Sequence, residues 1–172
     1  MTTNDTSTET PADPGVAPTQ RPYAAAGATQ VYVLYINAPA EKVWDAITEP
    51  AAVERFFHGL RLDATYGPGG RLRSWSPDGQ TLWGDNTILE WDPPRRMVHT
   101  WRSLYDETMA AEPESRVTWE VEPAPGGACK LTLVHDQLGD SPRTAASVVG
   151  WSWILSNLKT IVETGNSLPS IR

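Results

Sequence analysis

The sequence predicts an α+β domain in which a curved antiparallel sheet packs against one long C-terminal helix. Two observations support this prediction. Between residues 60 and 135, short strand-like runs alternate with turns rich in glycine and proline, as in an antiparallel meander. Residues 150–165 instead carry apolar side chains at steps of three and four, as in an amphipathic helix. Such a helix laid across a curved sheet can enclose an apolar pocket.

The length and composition indicate a single domain. The chain has 172 residues, of which 40% are hydrophobic, and it contains eight tryptophans. This is enough for one sizeable core but hardly for two. Residues 1–28 are mostly Thr, Pro, Ala and Asp and are predicted to form a disordered tail. The domain is predicted over residues 29–168, with a short C-terminal tail at 169–172.

The charge of the chain argues against two classes of partner. Fourteen Lys and Arg against 21 Asp and Glu give a net charge of −7, which disfavours nucleic acid and anionic membrane surfaces. Cys129 is the sole cysteine, so no internal disulfide can form. No apolar run is long enough to span a bilayer, and no signal-peptide pattern opens the chain. A cytoplasmic protein is therefore expected.

The first half of the domain reads as a strand, two helices and then further strands. Residues 31–36 are β-branched and aromatic, which favours a strand. Residues 40–48 place Val43, Trp44 and Ile47 at helical spacing, and a second short helix is predicted at about 51–57.

About six strands follow these helices, for a sheet of six or seven strands in all. The cleanest are residues 116–122 and 130–135, in which apolar and polar residues alternate. The strand after Pro94 shows the same alternation. Residues predicted to share inward faces are Met97, His99 and Trp101, then Val117, Trp119 and Val121, and then Leu131, Leu133 and His135. The polar segment at 104–114 is predicted to be a mobile loop at the rim of a pocket.

The last helix has signals for both of its ends. Ser141 is a predicted N-cap with Pro142 at the first helical position, and Gly165 fits a left-handed C-cap. Gly150 lies inside the predicted helix, where glycine costs about 1 kcal/mol relative to alanine. It indicates close approach by a strand or a ligand, or simply a packing glycine. Trp153 lies about 200° round the helix from Trp151 and is predicted to face away from the sheet.

The order of these elements, and five segments in particular, resemble the helix-grip fold of the START-like (SRPBCC) superfamily. Within it, the chain is similar to the family named for homology to the activator of heat-shock-protein ATPase (Aha-type). The resemblance rests on VYVLYINAPAEKVWDAITEPAAVERFF at 31–57, WDPPRRMVHTW at 91–101, RVTWEVEP at 116–123, LTLVHDQL at 131–138 and GWSWILSNLKTIVETG at 150–165. It implies a domain of a kind that binds lipids, hormones or polyketides, in some cases with cyclase activity.

The favoured functional hypothesis is binding of a small hydrophobic or aromatic molecule between the sheet and the C-terminal helix. Aromatic and apolar side chains usually line such cavities, with a few polar groups among them. The residues predicted to line this pocket are Trp75, Trp83, His99, Trp101, Trp119, His135, Trp151, Leu155 and Leu158.

The second hypothesis is a metal-free cyclase or dehydratase acting on a polyketide-like or aromatic substrate. Such an enzyme needs a polar group within hydrogen-bond reach of the substrate, and the candidates are His99, His135 and Asp85. Strand alternation allows only one of Asp85 and Asn86 to face inward. No closely spaced His, Cys and Glu cluster predicts a metal site, and no cofactor is expected.

The third hypothesis is co-chaperone-like activation of a heat-shock ATPase in a stress response, as the family resemblance implies. Activators of this kind couple a separate chaperone-binding domain to a domain like this one. Residues 1–28 show no basic or aromatic docking motif, so a chaperone partner is not expected. A weak homodimer is a further expectation, with Trp153 as a possible contact.

Overall fold

The computed structural model describes residues 27–169. Residues 1–26 of the predicted N-terminal tail and residues 170–172 of the predicted C-terminal tail lie outside this range. The N–H of Gly27 donates to the carbonyl of Leu138 over 2.8 Å, and Ala28 packs against the core. Residues 27 and 28 therefore belong to the folded unit.

The described residues form seven strands and five α-helices. In chain order these are β1 Gln30–Ile36, α1 Ala40–Thr48, α2 Pro50–Phe56, β2 Arg61–Thr65, β3 Arg71–Trp75, β4 Leu82–Asp92, β5 Arg96–Trp101, α3 Glu107–Ala111, β6 Ser115–Pro123, β7 Cys129–Asp136, α4 Pro142–Ser147 and α5 Gly150–Thr164.

All seven strands pair antiparallel in one curved sheet, in the order β1-β7-β6-β5-β4-β3-β2. The predicted fold, a curved antiparallel sheet against a long C-terminal helix, is confirmed. The apolar stripe of α5 is buried in the core together with the inner face of the sheet. Among residues 27–169, no helix has the length and apolar character needed to cross a membrane.

The C-terminal helix differs from the prediction because it is divided in two. The Ser141 hydroxyl caps α4 by accepting the Thr144 N–H at 3.1 Å, and Gly165 ends α5 in the left-handed conformation with φ of 79°. Between them, the N–H of Trp151 bonds to the carbonyl of Val148, three residues back, at 3.3 Å. This tighter turn separates α4 from α5. Gly150 is consequently the first residue of α5 and not an interior position.

The segment at 104–114, predicted to be a loop, contains the short helix α3. Asp106 caps this helix, since its carboxylate accepts the N–H of Met109 at 3.1 Å. The side chain of Met109 is buried, which fixes the helix against the domain. The segment is therefore structured over part of its length.

Candidate ligand-binding cavity

A cavity of about 350 Å³ lies between the sheet and the C-terminal helices. Its walls come from the residues after α2, from β4, from the end of β5 and from the junction of α4 and α5. Three of its lining residues, His58, Tyr105 and Ser147, are exposed, so the cavity meets solvent beside them. The large apolar side chains of the walls are Phe57, Leu60, Trp83, Trp101, Val148, Trp151 and Ile154.

Aromatic rings pack against one another along the inner wall of this cavity. The ring centroids of Trp101 and Trp151 are 5.4 Å apart, and Phe57 lies 5.6 Å from Trp151 and 6.1 Å from Trp101. Trp119 meets Trp151 edge-on at 5.6 Å. At the mouth, Tyr105 lies 5.8 Å from Trp83. A flat apolar ligand would meet aromatic side chains both at the mouth and at the inner wall.

A second cavity of about 60 Å³ lies next to the first. Phe57, Leu60, Ser74, Asn86 and Trp101 line both spaces and form the wall between them. Met97, His99 and Trp119 line only the smaller one. A rearrangement of this shared wall would extend the main cavity toward the sheet.

The polar side chains of the main cavity are collected mainly on the side of β3, β4 and the residues after β5. Ser74 comes from β3, Asn86 from β4, and Arg102 and Ser103 follow β5 directly. Among residues 27–169, no aspartate or glutamate lines this cavity, although the whole chain carries a net charge of −7. The cavity thus has a local charge opposite in sign to that of the protein.

Side chains replace part of the hydrogen bonding between β4 and β5 at this polar side. Regular pairing of the two strands reaches only as far as Ile88 opposite His99. Beyond that point, the Asn86 side-chain oxygen accepts the N–H of Arg102 at 3.0 Å. Asn86 is 5% exposed, and its amide nitrogen makes no hydrogen bond to another described residue. One end of the amide therefore completes the fold while the other is a free donor beside the cavity.

Gly84 permits the close packing around Asn86. A β-carbon at this position would lie 2.8 Å from the Ser74 hydroxyl and 3.2 Å from the Asn86 amide nitrogen. Any larger residue would therefore displace one of these two polar groups. The glycine keeps both groups close together at the wall of the cavity.

His135 belongs to a buried chain of hydrogen bonds with a single direction. The Trp151 indole N–H donates to Nδ1 of His135 at 3.0 Å, and Nε2 of His135 lies 2.8 Å from the Ser115 hydroxyl. That hydroxyl donates onward to the carbonyl of Trp101 at 3.1 Å. His135 must therefore carry its proton on Nε2 and donate it to Ser115. Burial lowers the pKa of His135 to about 4, which keeps the ring neutral at neutral pH.

His99 is neutral for the same physical reason but has the other tautomer. Its Nδ1 lies 2.8 Å from the carbonyl of Thr100, which can only accept, so the proton is on Nδ1. Its Nε2 accepts the Trp119 indole N–H at 3.2 Å. Burial lowers the pKa of His99 to about 4. Both nitrogens of each histidine are therefore engaged within the protein.

Four of the residues predicted to line a pocket lie in the wall of the main cavity, and two more line the smaller one. Trp83, Trp101, His135 and Trp151 contribute to the main cavity. Trp101 also lines the smaller cavity, together with His99 and Trp119. Trp75, at the end of β3, and Leu155 and Leu158, within the core of α5, line neither of these spaces.

Asp85, a predicted catalytic candidate, lies on the opposite face of the sheet from Asn86. Its carboxylate accepts from the guanidinium of Arg71, with the Arg71 Nη2 at 2.6 Å, and it lies 3.5 Å from the Nε of Arg73. Alternation along β4 therefore places Asn86 toward the core and Asp85 away from the cavity.

Sequence reasoning did not include Phe57, Ser74, Asn86 or Arg102 among the predicted pocket residues. Because side chains alternate between the two faces of β4, either Asp85 or Asn86 had to face inward. The sequence pattern did not indicate which of the two does so. Arg102 follows the last inward-facing residue of β5, where the strand ends and alternation no longer fixes the direction of a side chain. Phe57 follows α2 with φ of −107° and ψ of 56°, outside the helical region that its spacing suggested.

Residues 37–163 match the family described as Activator of Hsp90 ATPase homolog 1-like protein. This match covers most of the chain. No curated protein sequence matches the chain.

The fold is similar to those of several solved structures. CalU16 from Micromonospora echinospora is 23% identical with a TM-score of 0.62, over 80% of this chain and 77% of that one. An HSP90 activator from Plasmodium falciparum is 19% identical with a TM-score of 0.65, over 78% of this chain and 95% of that one. DynU16, a protein in the dynemicin biosynthetic locus, is 25% identical with a TM-score of 0.66, over 81% of this chain but only 48% of that one.

Proposed function

The chain belongs to the Activator of Hsp90 ATPase homolog 1-like family, and from this premise we propose that it binds a small hydrophobic or aromatic molecule in the cavity between the sheet and the C-terminal helices. The observation that carries the proposal is the cavity of about 350 Å³ with its wall of Phe57, Trp101 and Trp151. Ligand pockets typically measure about 300–1,000 Å³ and are mainly apolar with a few placed polar groups. The volume is at the lower end of that range, which favours a compact ligand.

The cavity wall is apolar, and it is also formed before a ligand binds. The buried ring of Trp151 in this wall is held by a hydrogen bond from its indole nitrogen to His135, and Trp119, which packs against it, is held in the same way by His99. The wall is thus largely formed before a ligand arrives, which lowers the entropy cost of binding. The similarity to a protein in a biosynthetic locus adds support for a small-molecule ligand.

Neither of the other two hypotheses gains comparable support. The ring nitrogens of His99 and His135 already have protein partners, and Asp85 is paired with arginines away from the cavity. We therefore do not propose catalysis by these groups. Activation of a chaperone ATPase rests on the name of the family and on a structure that is 19% identical, a similarity that shows the fold alone.

The proposal is tested by filling the cavity from within. Ile154 is 6% exposed and lines the cavity, so Ile154→Phe should occupy ligand space. The matched control is Ile161→Phe, the same substitution two turns further along α5, at a residue that lines neither cavity. Binding of 2-naphthamide is followed by tryptophan fluorescence and by melting temperature.

The unmodified protein and Ile161→Phe should bind 2-naphthamide and melt at higher temperature with it, whereas Ile154→Phe should lose most of the affinity. At a free concentration of 100 times Kd, binding should stabilise the fold by about 2.7 kcal/mol. No binding of 2-naphthamide to the unmodified protein, or equal binding to both variants, would contradict the proposal.

A further inference from the structure

We infer that the molecule bound in this cavity carries a carboxylate and that Arg102 binds it. The inference rests on the proposed function, since it names the chemical class of the ligand for the same cavity. Arg102 lines the main cavity and also a small adjoining space of about 20 Å³. Of the arginines and lysines that the structure describes, it is the one that lines the main cavity.

Arg102 is unpaired in a protein where most arginines are paired. Its side chain makes no hydrogen bond or ion pair with any residue in 27–169. Within that range, its Nε is the single buried side-chain nitrogen or oxygen without a partner. By contrast, six other arginines of the described chain form ion pairs: Arg71, Arg73, Arg95, Arg96, Arg116 and Arg143.

A buried donor on a cation is expensive to leave without an acceptor. Glu112 lines the adjoining space but makes no hydrogen bond or ion pair with Arg102. Its oxygens accept from the Ser141 N–H and the Thr144 hydroxyl. An acceptor from a ligand is therefore the group that would satisfy the Nε of Arg102.

The other polar groups on this side of the cavity are also donors without acceptors. The Asn86 amide nitrogen and the Ser74 hydroxyl make no hydrogen bond to a described residue, and both lie close to the backbone at Gly84. No carboxylate from the described part of the chain lines the main cavity to compete for them. The guanidinium of Arg102 and the two neutral donors together form a site for a group with two anionic oxygens. A carboxylate is such a group, and its geometry matches the planar guanidinium of an arginine.

The predicted ligand therefore has two parts. Its apolar body, preferably flat, packs against Trp101 and Trp151, and its carboxylate lies toward Arg102. The net charge of −7 repels anions at long range, so the selectivity for the acid must come from contacts inside the cavity.

The test compares two probes of the same shape: 2-naphthoate and its neutral amide, 2-naphthamide, in which an NH2 group replaces one carboxylate oxygen. Affinities are measured by calorimetry at pH 7 for the full-length protein, Arg102→Met and Arg73→Met. Methionine keeps the length and apolar stem of the arginine but removes the charge and the donors. Arg73→Met makes the same change in net charge on a half-exposed residue outside the cavity.

The unmodified protein and Arg73→Met should bind naphthoate about 10- to 100-fold more tightly than naphthamide. Arg102→Met should lose this preference, because it loses far more affinity for naphthoate than for naphthamide, whose carbonyl is a single neutral acceptor. Arg102→Lys should keep part of the preference, since it retains the charge but not the Nε–H. The melting temperature of Arg102→Met without ligand should equal or exceed that of the parent, because no hydrogen bond or ion pair to residues 27–169 is lost and a buried unpaired donor is removed.

Two results separate this inference from the proposed function. If the unmodified protein binds both probes equally, or if Arg102→Met keeps the preference for naphthoate, the carboxylate assignment is wrong while cavity binding stands. If the unmodified protein binds neither probe, both proposals are wrong. If Arg102→Met and Arg73→Met both lose the preference for naphthoate, that preference comes from the net charge of the protein. This result would also overturn the inference.

Discussion

Acidification should destabilise the protein through its two buried histidines. Burial lowers the pKa of both His99 and His135 from 6.5 to about 4. Below pH 6.5 the histidines of the unfolded chain take up protons that the folded rings do not. Stability therefore falls as the pH falls, and this contribution stops changing below about pH 4, where the folded rings also become protonated.

The magnitude follows from the two pKa values. Between pH 7 and pH 5, each histidine should reduce the free energy of unfolding by about 2 kcal/mol, and the pair by about 4 kcal/mol. This is a large part of the total stability of a typical domain, about 5–15 kcal/mol. Most carboxylates remain ionised over this range, so they contribute little to the change.

The assay is urea unfolding followed by tryptophan fluorescence at pH 7, 6 and 5. His135→Gln can still accept from Trp151 and donate to Ser115, but it cannot titrate, so it should remove about half of the pH dependence. His58→Gln is the matched control, because His58 is exposed and outside both hydrogen-bond networks. A free energy of unfolding that is constant between pH 7 and pH 5 would refute the reasoning, as would an unchanged slope in His135→Gln.

Two further substitutions test the local structure around the cavity. Gly84→Ala should destabilise the fold by about 1–3 kcal/mol in urea unfolding, because its β-carbon would lie 2.8 Å from the Ser74 hydroxyl; stability equal to the parent would show that this packing is looser than described. Ser141→Ala should cost about 1 kcal/mol by removing the cap on α4, whereas Ser156→Ala on the exposed face of α5 should cost less, and equal costs would argue against the cap.

The regular elements were predictable because local chemistry marks their ends. Helix α1 occupies residues 40–48 as predicted, since Pro39 and Pro50 flank a clear helical spacing. The strands β6 and β7 extend one residue or so beyond their predicted bounds. In these segments, alternation and proline or glycine signals agree with the long-range pairing.

The division of the C-terminal helix was not predictable from periodicity. Val148 and Val149 both have right-handed helical angles, so a single helix fits the pattern equally well. The carbonyl of Val148 accepts from the hydroxyl of Tyr32, 116 residues away in the chain, at 2.9 Å. A contact over that separation leaves no signal in a local window of sequence.

The polar side of the cavity was only partly predictable for a related reason. Strand parity reduced the choice to Asp85 or Asn86, but the register with β5 decides between them. The separation of β4 from β5 beyond Ile88 creates the position of Arg102, and no local pattern encodes where two strands part.

The two neighbouring polar residues on this wall should evolve under different constraints. Asn86 holds β4 to the residues after β5 through its side-chain oxygen, so its replacement would change the fold and the cavity together. Arg102 contributes only its main-chain N–H to that bond. If Arg102 binds the ligand as we propose, exchange of its side chain would alter which ligand is accepted and would break no hydrogen bond or ion pair among the described residues. During evolution, substitutions at position 102 could therefore change the ligand preference while position 86 stays fixed. The variable position would lie one residue beyond the end of β5.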